Sequence, residues 1–127
     1  MTEGIYAIAA ILAALQAKHV LADYVLQNDY ILNNRHRFGH PGGLLHAGIH
    51  VVGTFIVLLA LSVPAALVVK ICIAEFVVHY LIDWTKDTLN RAWNAAPDQQ
   101  LFWALAGVDQ ALHQLTYVAI MMVVISA

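Results

Sequence analysis

Four apolar stretches of this 127-residue chain each carry two metal-capable side chains at positions i and i+4. The pairs are His19/Asp23, His46/His50, His79/Asp83 and Asp109/His113. In an α-helix such residues lie on one face, with Cβ atoms about 6 Å apart, so each pair presents two donor groups in one direction. Polar groups among Leu, Ile, Val and Ala are costly to bury unless they share partners. The pattern therefore predicts one shared polar site.

The donor set of this predicted site is five imidazoles and three carboxylates. These ligands suit zinc, iron, manganese or nickel better than calcium, magnesium or copper(I), and zinc is our first expectation, with iron and manganese as alternatives. Eight ligands exceed what one tetrahedral ion uses. The sequence leaves open either one ion, with the remaining donors orienting its ligands, or two ions that share a carboxylate, an arrangement common in hydrolytic enzymes.

Two further side chains are candidates for catalytic roles. Glu75 lies one helical turn before His79, where it could be a ninth donor, a partner of that imidazole or a general base. Lys86 follows Asp83 by three residues and could stabilise a developing oxyanion or bind an anionic substrate. An equally good interpretation of Lys86 is a basic residue that anchors a helix end at the lipid headgroups.

The composition is that of an integral membrane protein. Hydrophobic residues make up 61% of the chain and charged residues 11%, with a mean hydropathy of +0.73, whereas soluble domains are about 25% charged. A net charge of −2 with six Lys and Arg argues against a nucleic-acid partner, and the single Cys72 excludes an intramolecular disulfide. Because no linker divides the sequence, we expect one domain over residues 1–127.

The apolar segments predict an all-α fold, an antiparallel up-down bundle of four membrane-spanning helices. The expected spans are about residues 4–27, 42–61, 64–90 and 101–125. Residues 28–41 contain Asn, Arg, Gly and Pro and are expected to form a loop. The short connection at residues 62–64 predicts that the second and third helices form an antiparallel hairpin.

Basic residues predict the orientation of these spans. Arg35 and Arg37 lie in the first loop, and Lys86 and Arg91 lie at the end of the third helix. The positive-inside rule then places both longer loops in the cytoplasm and both termini outside. With this topology all four pairs fall toward the cytoplasmic side, within a turn or two of one level. One shared site inside the bundle is thus geometrically possible.

In order along the chain, the motifs are His-x3-Asp-x3-Gln, His-x3-His, His-x3-Asp-x2-Lys and Asp-Gln-x2-His, which begin at His19, His46, His79 and Asp109. They resemble a small bacterial family of four-span membrane proteins of unknown function, over nearly the whole chain. The resemblance implies a location in the bacterial inner membrane and transfers no activity. A looser similarity, which depends on intramembrane His and Asp, is to membrane-bound metal-dependent hydrolases.

Three classes of function stay open. A metal-dependent hydrolase would act on an amphiphilic or lipid-linked substrate, since the site opens near the headgroup layer. A transporter or channel for a divalent cation or proton could use the same side chains, but the outer helix halves have few polar groups. A haem or di-iron redox protein fits less well, because haem needs no aspartates and ferritin-like sites use Glu-x2-His. We expect the hydrolase, surrounded by membrane lipids, in a homo-oligomer. Lys18 is expected to make a contact within the bundle or between subunits rather than to face lipid.

Overall fold

The computed structural model describes the backbone of residues 2–127 and the side chains from Gly4 onward. Over this range the chain is helical and the structure contains no β-strand. The α-helices are α1 Thr2–Leu21, α2 Asp29–Asn34, α3 Pro41–Ala60, α4 Ala65–Ala92 and α5 Gln100–Ser126. Within the described residues, four segments are long and apolar enough to cross a membrane: Gly4–Leu26, α3, α4 and α5. The prediction of an all-α, multi-pass membrane protein is confirmed.

The first span does not end as a regular α-helix. After Leu21 it continues as one π-helical turn, Ala22–Leu26, in which the hydrogen bonds of the wider turn run between residues five apart. Asp23 lies in this turn, and the chain becomes extended at Gln27. The sequence pattern gave no indication of the wider turn, which in other proteins is frequent at functional sites.

The segment predicted as a loop at residues 28–41 contains the short helix α2, so the prediction of an irregular connection is wrong for residues 29–34. Asn28 begins α2 as its N-cap, because its side-chain oxygen accepts a hydrogen bond from the backbone N–H of Ile31 at 3.1 Å. Ile31 is fully buried, and α2 packs against α3. At the start of α3, the ring of His40 accepts a bond from the backbone N–H of Gly42 at 3.1 Å.

The four long helices enclose one interior. Helix α1 contacts α3 and α5, and α4 contacts the same two helices. A short turn joins α3 to α4, where Ser62 adopts a φ of 61° and the backbone N–H of Val63 donates to the carbonyl of Leu58 at 3.0 Å. One part of the interior is an apolar core formed by Ile11, Leu15, Leu58, Val63, Val68, Ile71, Cys72, Tyr117 and Ile120. The other part contains the predicted polar site.

Candidate metal centre

All eight predicted ligands come from the four long spans and lie close together in the polar part of the interior. The five imidazoles are each at most 3% exposed, and Asp83 and Asp109 are 7% and 6% exposed. The ring centroids of His50 and His79 are 3.9 Å apart, and those of His79 and His113 are 4.3 Å apart. The sequence pattern thus identified side chains that the fold brings together.

Seven of the eight supply donor atoms to three overlapping triplets. Within each triplet, one donor atom per residue lies within 4.8 Å of the others. The triplets are His19–Asp23–His50, His46–His50–His79 and His79–Asp83–His113. Because His50 and His79 each belong to two triplets, the three groups form one continuous cluster rather than separate sites.

Asp23 is the centre of one half of this cluster. Its Oδ2 lies 3.0 Å from Nε2 of His19, and its Oδ1 lies 3.0 Å from Nε2 of His50. The same Oδ1 is 3.4 Å from Nε2 of His46. We call His19, Asp23 and His50 the Asp23 half.

Asp83 occupies the corresponding position in the other half. Its Oδ2 lies 3.1 Å from Nε2 of His46 and 3.1 Å from Nε2 of His79. Its Oδ1 is 3.9 Å from Nε2 of His113. We call His79, Asp83 and His113 the Asp83 half. His46 lies between the two carboxylates and contacts both.

Many of these donor atoms have no hydrogen bond although they are close to one another. Among the described residues, buried atoms without a hydrogen-bond partner include Nε2 of His19, His79 and His113, both ring nitrogens of His46, Oδ2 of Asp83 and Oδ1 of Asp109. Each such buried atom costs about 1–3 kcal/mol. A zinc ion with ligands at about 2.0–2.1 Å separates neighbouring tetrahedral donors by about 3.3 Å. The 3.0–3.4 Å contacts around Asp23 match this spacing, so the donors could hold metal ions.

Two outer contacts set the orientation of imidazoles in the cluster. His113 Nδ1 donates to the backbone carbonyl of Asp109 at 2.9 Å, which leaves Nε2 directed at the cluster. His19 Nδ1 lies 2.7 Å from the hydroxyl of Tyr117, and with Nδ1 as the donor its Nε2 is likewise free to bind metal. Such contacts are typical of metal-ligating histidines. We did not predict Tyr117 from the sequence, although its position one turn after His113 was an available signal.

Asp109 lies beside the cluster and belongs to none of the three triplets. Its Oδ2 accepts a hydrogen bond from the Gln110 side chain at 3.1 Å. Its Oδ1 is 3.8 Å from Nδ1 of His113 and has no hydrogen-bond partner. The geometry therefore gives Asp109 a free carboxylate oxygen next to the Asp83 half.

Glu75 is engaged by a lysine of α1. Lys18 Nζ lies 2.7 Å from Glu75 Oε1, with the side chains 7% and 0% exposed, and also donates to the backbone carbonyl of His50 at 3.1 Å. The same Nζ is 4.7 Å from the ring centroid of Tyr117, a cation–π distance. Lys18 therefore has its partners within the bundle of one chain, which is one of the two contacts expected from the sequence. The oligomeric state stays a prediction.

A second polar network lies at the edge of the centre nearest α2. Arg35 donates to the Asp87 carboxylate and, at 2.8 Å, to the side-chain oxygen of Gln27. Gln27 in turn donates to the backbone carbonyl of Asp23 at 3.2 Å, and Lys86 Nζ lies 3.1 Å from Asp87 Oδ1. Burial opposes the charge of Arg35, but the carboxylates of Asp83 and Asp87 outweigh this effect and raise its pKa. The network joins α2 to α4 and to the end of the first span.

The fold and the buried cluster define a multi-pass, all-helical membrane protein with a His/Asp-rich site among its spanning helices. The chain belongs to the family described as a protein of unknown function, DUF3307, whose model matches residues 11–127. That range contains every residue of the cluster. No curated protein and no solved structure matches the chain.

Proposed function

We propose that the protein is an intramembrane metal-dependent hydrolase with two divalent transition-metal ions, most simply zinc, with iron and manganese as alternatives. The observation that carries the proposal is that buried imidazole nitrogens without a hydrogen-bond partner, on His19, His46 and His79, lie 3.0–3.4 Å from carboxylate oxygens of Asp23 and Asp83. A purely polar network would pair these atoms by hydrogen bonds. Shared cations satisfy them without requiring hydrogen-bond directions.

The overlapping triplets support one ion in each half. In this proposal the Asp23 half binds the first ion and the Asp83 half binds the second. His46 completes the coordination from between them, since its Nε2 contacts Asp23 and Asp83 and both its nitrogens lack other partners. Each ion then has three or four N/O ligands and keeps a position for water, as catalytic sites do.

Charge balance also favours two ions. The carboxylates of Asp23, Asp83 and Asp109 total three negative charges, and Glu75 is already balanced by Lys18. Two divalent ions leave a net charge of about +1, which a hydroxide or an anionic substrate neutralises; such compensation matters because unbalanced charge is costly in a low-dielectric interior. A single ion would leave the centre negative and would repel a phosphate or a carboxylate.

An ion held by these residues would supply an activated water, since metal coordination lowers the pKa of water to about 7. Asp109 is the residue we assign as the general base, because its free Oδ1 lies beside the Asp83 half. Lys86 is assigned to the anionic part of the substrate. Glu75 is assigned to the charge balance of Lys18, because its Oε1 accepts the lysine hydrogen bond, whereas its Oε2 has no partner.

The apolar core supports a hydrolase over a transporter. Lys18, Thr54 and Glu75 are also buried. On the far side of these residues from the cluster, the interior is filled by apolar side chains, of which Leu15, Leu58 and Val68 are fully buried. A cation or proton that entered the centre would have to cross this layer to reach the other side of the membrane. A site that opens to one side suits a reaction on a membrane-embedded substrate.

We infer an up-down antiparallel topology with both longer connections in the cytoplasm and both termini outside, in a bacterial inner membrane. Two observations support this inference. The proposed ligands lie at or after the end of α1 and from the middle of α4 onward, but in the first half of α3 and up to the middle of α5, as helices of alternating direction require when their ligands meet. The basic residues Arg35, Arg37, Lys86 and Arg91 belong to the connections or to the helix ends that adjoin them.

Hydrolysis of chromogenic substrates with long alkyl chains tests this function. Metal-loaded protein should cleave hexadecyl 4-nitrophenyl phosphate or 4-nitrophenyl palmitate, and a chelator should abolish the activity until metal is restored. The matched variant Asp109→Asn should keep its metal and lose activity by about 10²-fold or more. Cleavage that is unaffected by metal removal, or by Asp109→Asn, would contradict the proposal.

A further inference from the structure

A groove that is open to the membrane runs between α4 and α5 and reaches the candidate metal centre. The part of the groove farther from Lys86 has a volume of about 530 Å³ and is lined mainly by apolar side chains such as Ile71, Val78 and Val123. Glu75 also lines it, but its side chain is 0% exposed and is paired with Lys18. The part of the groove near Lys86 and Asp109 has a volume of about 240 Å³. The two parts share Ile82 and Leu112 as lining residues, so they form one continuous surface.

The length of the groove suits a hydrocarbon chain. On α5 the groove runs from Leu105 to Val123, and at about 1.5 Å per residue the separation of Asp109 from Val123 along the helix is about 21 Å. One leaflet of a bilayer contributes about 15 Å of hydrocarbon. The groove is therefore long enough for one acyl chain of a lipid in that leaflet.

The polar residues at one end distinguish this groove from the other grooves on the surface of the helices. A groove of about 740 Å³ beside α3 is lined by Lys18 and by apolar residues, and one of about 330 Å³ between α3 and α4 is lined by apolar residues and Cys72. Neither includes any of the eight predicted metal ligands. The α4–α5 groove includes Asp109, which is 6% exposed and has an unpaired Oδ1.

Charge at this end favours an anion. Arg35 and Lys86 both bind the single carboxylate of Asp87, so this group carries one net positive charge. The Lys86 side chain is 17% exposed and lines the groove, whereas Arg35 is held by Gln27 as well. Lys86 is therefore the cation that an anionic head in the groove would meet.

We propose that the α4–α5 groove binds the hydrocarbon chain of a lipid with a phosphate head and places that head between Lys86 and Asp109, next to the Asp83 half. The inference rests on the proposed function, since bound cations offset the carboxylates of Asp83 and Asp109 that would otherwise repel a phosphate. It names the substrate class of the hydrolase as a lipid phosphate that enters sideways from the membrane.

Retention of hexadecyl phosphate, measured by native mass spectrometry of the detergent-released full chain, tests the groove. Ala119 of α5 and Ala74 of α4 line the part farther from Lys86 and are exposed, so Ala119→Phe and Ala74→Phe fill it from opposite walls. Ala111→Phe is the matched control, because Ala111 is exposed on α5 and lies outside the groove. Metal per chain is measured in the same samples.

We expect the wild type and Ala111→Phe to retain the probe, and each groove variant to bind it about tenfold more weakly or worse. Lys86→Met should weaken binding of hexadecyl phosphate but not of hexadecanol. Equal retention by the groove variants and the control would overturn the proposal. So would binding of inorganic phosphate as tight as that of the probe, which would point to a phosphate site without a chain site.

Probe retention tests the groove and metal content tests the metal centre, so the failure of one proposal can be distinguished from the failure of the other. Groove-dependent binding of hexadecanol in a wild-type chain that takes up no metal would refute the proposed function and leave the chain-binding groove in place, without its phosphate-head assignment. Full metal content with no dependence of probe binding on Ala119→Phe or Ala74→Phe would refute the groove alone.

Discussion

The amine of Lys18 and the carboxylate of Glu75 form an ion pair at 2.7 Å whose side chains are 7% and 0% exposed. Lys18 lies on α1 one residue before the proposed ligand His19, and Glu75 lies on α4 one turn before the proposed ligand His79. The same amine donates to the backbone carbonyl of His50 on α3. One lysine therefore fixes three helices relative to each other immediately next to the metal ligands.

Removing one member of this pair should destabilise the protein strongly. Lys18→Met leaves the Glu75 charge buried without a partner, and we expect a loss of about 3–5 kcal/mol in the free energy of unfolding. The double variant Lys18→Met/Glu75→Gln removes both charges and should recover most of that loss. Thermal and denaturant unfolding in one detergent measures both values, and a double variant as unstable as the sum of the two single variants would contradict the ion pair.

The two halves of the cluster should lose metal independently. His19→Ala removes a ligand from the Asp23 half, and His113→Ala removes one from the Asp83 half. We expect each variant to bind about one ion fewer than the wild type, and the double variant to bind none, because each half supplies three donors to its ion. Metal per chain after dialysis against a weak chelator measures this. His36→Ala, outside the triplets, is the control.

A single shared ion would give a different pattern. In that case His19→Ala alone would remove all the bound metal, and so would His113→Ala. That result would contradict the assignment of one ion to each half and would favour one ion with the remaining donors as orienting partners.

The hydroxyl of Tyr117 should matter for metal affinity although it contacts no ion. Tyr117→Phe removes the partner of His19 Nδ1 and little else, since the ring is 1% exposed and stays in the core. We expect affinity at the Asp23 half to fall about 10–100-fold, with the Asp83 half unchanged. Competition against a chromophoric chelator resolves the two affinities. Equal weakening of both halves would indicate a general loss of packing instead.

The contact between Arg35 and Asp87 should stabilise the attachment of α2. The Arg35 side chain is 10% exposed and bonds both Asp87 and Gln27, so we expect Arg35→Ala to reduce the free energy of unfolding by about 2 kcal/mol. Arg37→Ala, at an exposed neighbouring position, should change it by less than about 0.5 kcal/mol. Unfolding in detergent measures both free energies. Equal effects of the two variants would refute a stabilising role of the Arg35–Asp87 contact.

Much of the candidate site could be predicted from the sequence because its residues repeat at one-turn spacing on long apolar helices. His46 and His50 are one turn apart on α3, and the structure brings both to Asp23 of the first span. The period of a helix determines which residues share a face, and the apolar surroundings indicate that this face is buried. The number of spans followed from length and hydropathy in the same way.

The parts that the sequence did not reveal depend on contacts between distant residues. Arg35 was placed only in the first loop, and the sequence did not indicate its bond to Asp87, 52 positions later. For Lys18 the sequence left open a contact within the bundle or between subunits, and it did not indicate the partner Glu75, which lies 57 positions away. The π-helical turn around Asp23 and the helix α2 depend on local packing that hydrophobic periodicity does not encode.

The most direct test of the central claim is the metal content of the wild-type chain. The protein would be purified in detergent without a histidine tag or chelator, and metal per chain would be measured by inductively coupled plasma mass spectrometry before and after reloading. The proposal predicts about two equivalents of zinc, iron or manganese, one for each half of the cluster. No bound metal after reloading would contradict it and would leave the His/Asp cluster as a polar network.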